Sequence, residues 1–206
     1  MNALILIDLQ FDFFNEGALP VPEAEQVLPV ANRVMDHFGL IVASQDWHPA
    51  NHGSFAANHW WRKPGQVIDL NGLPQVLWPI HCVQETFGAS FHSGLDTSRI
   101  ARVFRKGTDP GIDSYSCFFD NGHRKSTGMG DWLKDQKVTD LYFLGLATDY
   151  CVKFSVLDAL ELGFNAWLIE DGCRGVNLNP GDAENAVAEM EKKGARIIRS
   201  GDLTPA

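Results

Sequence analysis

Cysteine is scarce in this chain. There are four in 206 residues, Cys82, Cys117, Cys151 and Cys173, and no two form a CxxC pair. That excludes a cysteine-built zinc module and a disulfide framework, which need paired or densely spaced thiols. Positive charge is short as well: 17 Lys and Arg stand against 26 Asp and Glu, a formal net charge of -9. So acidic a chain is poorly suited to neutralise nucleic-acid phosphates or an anionic membrane. No apolar run is long enough to span a bilayer. The opening MNALILIDLQFDFF has no positive flank and is interrupted by Asp8, unlike a signal peptide. Internal repeats, low-complexity tracts and linkers are missing too. The expectation is a reduced, cytoplasmic protein with one domain over residues 1–206.

What is present is ordinary for a globular protein, 45% hydrophobic and 21% charged residues. Short apolar runs alternate with helical patterns. ALILID, LIVASQD, IARVFRKG, DLYFLGLAT, NAWLIED and ARIIRS read as strands. EAEQVLPVANRVMDHFG, DWLKDQKV, the stretch after Cys151 and DAENAVAEMEKKG read as helices. This alternation predicts an α/β fold: three αβα layers around a mainly parallel sheet of roughly six strands. Its strand order is not readable. Ligands in such sheets sit beyond the carboxyl ends of the strands. Asp8, Asp46, Lys106 and Cys151 all fall at or just after strand ends, on one rim. A long excursion at about 47–99 carries five histidines. A stretch of that length suggests a functional lid, or a surface excursion with its own small core of Trp60, Trp61 and Trp78.

Two constellations carry chemistry. Cys151 stands where a strand hands over to a helix. It is either a small buried hydrophobe or a thiol whose pKa a helix start lowers. Asp8 has the chemistry to take a thiol proton, and Lys106 to stabilise carboxylate and thiolate, although either could be a plain strand-end charge. In QDWHPANH, Asp46, His48 and His52 offer one carboxylate and two imidazoles, suited to Zn²⁺, Fe²⁺ or Mn²⁺. Asp46 and His48 alternate along an extended segment and can face one ion. His81, in WPIHC, is the best further ligand. The competing reading is of surface histidines. Phe11, Phe13 and Phe14 belong to the core by base rate, with one free to line a pocket. Cys82 reads as filler beside His81, and Cys117 and Cys173 as structural.

Taken together and in order, LIDLQFDF, QDWHP, WPIHCV, RKGTDPGIDSYSCF and GLATDYCV resemble the nicotinamidase group of the isochorismatase-like cysteine hydrolases. The similarity covers nearly the whole chain. It implies that Asp8, Lys106 and Cys151 form a catalytic triad and that Asp46, His48 and His81 hold one divalent ion. Zinc is the expected metal, with iron or manganese as alternatives. His52 matches a position that is a ligand in some members only. Leu146, Ala147 and Thr148 look like the family's cis-peptide turn, which would aim the Ala147 and Cys151 amides at an oxyanion. Phe13 and Trp78 match the residues that sandwich the substrate ring, and Tyr115 falls near the same pocket. The implied activity is hydrolysis of nicotinamide to nicotinate and ammonia through a thioester, in NAD salvage, with pyrazinamide also accepted. The metal would bind the pyridine nitrogen. The alternative is another carboxamide or carbamoyl amidohydrolase of the same family. The expected partner is a small-molecule substrate, not nucleic acid or membrane.

Overall fold

In the computed structural model, which describes residues 1–203, six parallel strands form one sheet. They are β1 (Asn2–Ile7), β2 (Ile41–Asp46), β5 (Arg102–Lys106), β6 (Asp140–Leu146), β7 (Asn165–Arg174) and β8 (Arg196–Ile198). Their order is β5-β2-β1-β6-β7-β8. β1 lies near the middle, and Ala3 to Ile7 are wholly buried on both faces. An unbroken apolar run is what a doubly covered parallel strand requires. The edge strand β5 instead alternates between exposed and buried at its inner end. Helix α1 (Val27–Val34) packs on β6 and β7. Helices α3 (Lys153–Glu161) and α4 (Asp182–Lys192) pack on each other, α3 also on β7 and α4 on β8. Helix α2 (Met129–Asp135) leads into β6. Among the described residues, no helix is long and apolar enough to cross a membrane.

The topology explains the shared rim. From β1 the chain moves outward through β2 to β5, then returns to the other side of β1 with β6. The order reverses there, and this switch point opens a crevice at the carboxyl ends of β1 and β6. Asp8 follows β1 and Cys151 follows β6. Gly145 lets the two strands meet: at φ +132 it adopts a backbone that side chains rarely tolerate, and a Cβ there would lie 2.1 Å from the Ile7 carbonyl oxygen.

Three readings of the sequence need correction. The helix read across residues 23–39 is α only at Val27–Val34. Residues Ala24–Gln26 and Met35–His37 are 3-10 turns, with Glu23 at a left-handed φ of 58 just before the first. The excursion at 47–99, in which the sequence pattern shows no strand, has regular structure of its own. It contains a two-stranded antiparallel hairpin, β3 (Val67–Leu70) and β4 (Leu73–Val76). Asn71 and Gly72 make its turn at φ 54 and 88, the Asn-Gly chemistry that two-residue hairpins favour. Finally, Trp60 and Trp61 build no core, being 89% and 94% exposed, whereas Trp78 is buried. Phe55 pairs with Trp78 instead, with the Trp78 N–H donating to Ser54 O at 2.8 Å and the Ala56 N–H to Trp78 O at 2.9 Å.

Candidate active site

The switch-point crevice brings Asp8, Lys106 and Cys151 together. Lys106 Nζ lies 2.8 Å from Asp8 Oδ2 and 3.3 Å from Cys151 Sγ. It also donates to Asp46 Oδ1 at 2.6 Å and to the Ser114 carbonyl at 2.9 Å. All three side chains are buried. Burial works against the charge on Lys106, yet Asp46 and Asp8 prevail and hold it well above its ordinary value. Burial pushes the Asp8 carboxyl up despite Lys106. It also pushes the Cys151 thiol up, more than Lys106 pulls it down. Of the two readings of Cys151, a helix start alone does not activate the thiol: burial outweighs what lowers its pKa, and at rest it keeps its proton. That proton lies beside Asp8, whose Oδ1 already accepts from the Ser44 hydroxyl at 2.6 Å. Cys151 itself sits in a π turn, Thr148–Val152, one step before α3. The Leu146–Ala147 peptide bond is cis.

Asp46, His48 and His81 form a second group, with one donor atom from each within 4.8 Å of the others. Asp46 ends β2, a strand buried along its whole length. Burial would raise its pKa, but Lys106 and the histidines hold it well below the usual carboxylate range. His48 Nδ1 donates to the Gly107 carbonyl at 2.9 Å, and His81 Nδ1 to the Pro79 carbonyl at 2.8 Å. Each ring thus turns the lone pair of Nε2 toward Asp46 Oδ2, at 3.6 and 3.9 Å. Two lone pairs facing a carboxylate need a cation between them. Two protons do not serve, because burial and His48 keep His81 down at about 4. The donor set fits a divalent ion of the zinc class. Gly107 is required here: at φ +62 it approaches so closely that a Cβ would lie 2.3 Å from His48 Cε1.

His52 differs. It groups with His48 and Asp113 rather than with Asp46 and His81. Its Nδ1 accepts from the Ser54 N–H at 3.2 Å and pairs with the Ser54 hydroxyl at 2.7 Å. Its Nε2 is buried without a partner. By position, His52 stands beside the group of Asp46, His48 and His81 rather than in it.

The remaining expected residues line one narrow slot. Phe13, Trp78, Tyr115, Ala147 and Cys151 border it together with Asp46, His48 and His81. Trp78 Nε1 donates to the Tyr115 hydroxyl at 3.3 Å, and its ring meets Tyr150 edge-on at 4.8 Å. The Phe13 ring is 5.6 Å from that of His81. Phe14 and the other three cysteines are buried in the core or under it. The Cys173 thiol is pushed up to about 12 by burial.

Sequence reasoning missed several contributors. Leu19, Val21, Tyr150 and Val176 also line the slot. Gln10 ties β1 to β2, donating to Asp46 O at 2.7 Å and accepting from the Asp46 N–H at 2.7 Å. Asp12 accepts from the Cys82 N–H at 2.7 Å and so holds the His81 loop to the Phe13 turn. Asp149 accepts from the N–H groups of Val176 and Asn177 at 2.9 and 2.7 Å. Polar residues amid the apolar positions of LIDLQFDF and TDYCV were the available signal.

Comparison with known proteins shows which family the chain resembles. The family model described as Isochorismatase domain matches residues 2–202. The nicotinamidase of Escherichia coli is 52% identical over 98% of this chain and 96% of its own. A solved structure from Acinetobacter baumanii, described as a nicotinamidase pyrazinamidase, superposes with a TM-score of 0.96 at 41% identity, covering 98% of each chain. A pyrazinamidase of Pyrococcus horikoshii in complex with zinc gives 0.78 at 36% identity, over 96% of this chain and 98% of that one.

Proposed function

The chain belongs to the isochorismatase family, and from that premise we propose that it hydrolyses nicotinamide with water to nicotinate and ammonia, with Cys151 as nucleophile. It is an amidohydrolase acting on a carboxamide. The observation that carries the residue assignment is Lys106 Nζ within 3.3 Å of Asp8, Asp46 and Cys151 at once. One fixed positive charge there serves acid–base group, metal-group carboxylate and nucleophile.

The ring lies in the slot between Phe13 and Trp78, with Tyr115 at its side. Asp8 takes the thiol proton, and Lys106, already charged, stabilises the thiolate as it forms. Sγ attacks the carboxamide carbon, and the Ala147 and Cys151 amides face the oxyanion. Asp8 returns the proton to the departing ammonia, leaving a thioester on Cys151. Asp8 then deprotonates water, which hydrolyses the thioester and frees nicotinate. Asp46, His48 and His81 would hold a divalent ion, zinc by analogy with the Pyrococcus horikoshii relative, and its contribution is a Lewis-acid anchor that orients the ring. Pyrazinamide, nearly isosteric, fits the same slot.

The reading extends to one hydrolase unit over residues 1–206, with the 47–99 excursion supplying His48, Trp78 and His81. It places the enzyme in the cytoplasm, in NAD salvage, since all four thiols are free and free thiols suit a reducing compartment. The test is an ammonia-release assay on nicotinamide. Cys151→Ala should lose activity by about 10⁶-fold, as when a hydrolase nucleophile is removed, while still binding nicotinamide. A Cys151→Ala protein with a tenth of normal turnover would exclude the covalent route.

A further inference from the structure

Tyr115 borders the substrate slot on one side and a second cavity on the other. His123 and Asp158 line that second cavity, and they and the exposed Glu161 each bring a donor atom within 4.8 Å of the others. Asp158 and Glu161 are three residues apart on α3, hence on one face of the helix. His123 arrives from the loop after Asp120, its Nε2 3.1 Å from Asp158 Oδ1. The Phe119 ring stacks on the imidazole at 4.7 Å and fixes its plane.

An ordinary His–Asp pair accounts for only half of this. Asp158 is 6% exposed; the Ser116 hydroxyl beside it favours the charged carboxylate, yet Oδ2 is buried with no well-formed hydrogen bond. A buried carboxylate oxygen without a well-formed bond is expensive. A cation bound by both oxygens of Asp158 removes the defect. We propose that His123, Asp158 and Glu161 form a binding site for a divalent transition-metal ion of the zinc class, separate from the group at Asp46. One imidazole and two carboxylates match zinc better than magnesium, which takes oxygen ligands. Two donors on a tetrahedral zinc at about 2.0–2.1 Å stand roughly 3.3 Å apart, close to the 3.1 Å seen here. The cavity, about 230 Å³, leaves room for water to complete the shell. An ion there would join α3, the helix that Cys151 leads into, to the loop whose Asn121 side chain accepts from the Tyr115 N–H at 2.9 Å.

The test is calorimetric titration of the metal-stripped full chain with Zn²⁺ alone. Wild type should take up one equivalent more than His123→Ala, or bind that equivalent at least about tenfold more tightly. His123 is half exposed, so its replacement leaves folding intact. Glu161→Gln should weaken the same equivalent. Asp46→Ala, which disables the other group, should still bind Zn²⁺ and should lose that binding when combined with His123→Ala. Equal zinc uptake and affinity in wild type and His123→Ala would overturn the proposal. So would an Asp46→Ala protein that binds none, whatever became of nicotinamide turnover.

Discussion

Lys106 is a fully buried ammonium among two carboxylates and a thiol. Its charge survives desolvation only because Asp8 and Asp46 face it. Lys106→Met leaves two buried carboxylates uncompensated, which costs about 3–5 kcal/mol of stability. The same change removes the one group that lowers the Cys151 pKa. Its iodoacetamide alkylation profile should move to higher pH, and an unchanged profile would mean that Lys106 does not tune the thiol. His81 gives a second prediction. Its imidazole titrates at about 4 when folded, against 6.5 for an ordinary histidine. Between those values the unfolded chain holds a proton that the folded chain refuses. The stability His81 contributes is thus whole above pH 6.5 and drains away as pH falls toward 4. His48 acts oppositely, because Asp46 outweighs burial and raises it, so comparison with a variant is needed. Urea midpoints of the metal-stripped protein should fall more steeply over that range in wild type than in His81→Asn. Parallel curves would contradict the assignment.

Two separate pieces of chain supply the facing aromatic walls of the ring slot. The 3-10 turn Phe11–Phe13 presents Phe13 just after β1. The segment following β4 presents Trp78, braced by its hydrogen bond to Tyr115 and its contact with Tyr150. A flat heteroaromatic held between them gains mainly ground-state contact, roughly 0.5–1.5 kcal/mol per aromatic pair beyond area burial. Phe13→Ala and Trp78→Ala should therefore raise KM for nicotinamide roughly 2- to 10-fold, with smaller effects on kcat. Phe13 neighbours Asp12, which holds the His81 loop, so bound metal should be measured alongside. A Trp78→Ala protein with normal metal and normal KM would assign Trp78 to loop packing alone. The exposed pair Trp60 and Trp61 makes a control on the same excursion: their replacement by Ser should leave kcat/KM within about twofold, as expected for surface sites.

Over the whole molecule, the metal group and the triad are joined by the Asp46–Lys106 ion pair at 2.6 Å, so removing the ion should be felt in both folding and turnover. An ion that binds only the folded chain stabilises it by mass action, and chelation should lower Tm. It should also lower turnover of nicotinamide far more than that of benzamide, which lacks the ring nitrogen and should be a poor substrate throughout. Equal turnover of the two amides by the metal-loaded enzyme would refute ring anchoring. Much of this design was legible in the chain. Uninterrupted apolar runs require strands covered on both faces, so the parallel sheet and its six members followed from local pattern. Strand-end placement of Asp8, Asp46, Lys106 and Cys151 put them on one rim, because a strand's last residue and the carboxyl edge of its sheet are the same place. Other features depended on contacts between distant segments. The order β5-β2-β1-β6-β7-β8 decided that Asp8 and Cys151 became neighbours, and no local periodicity encodes strand order. Tertiary burial decided the direction of the Cys151 pKa, which the sequence left open, since desolvation depends on everything packed around the thiol. Folding also separated Trp78 from Trp60 and Trp61, three indoles alike in the sequence, because only Trp78 lies where the excursion crosses back over the crevice. The place of His52 beside Ser54 and outside the Asp46 group was likewise a matter of angles and distances that spacing along a chain does not specify.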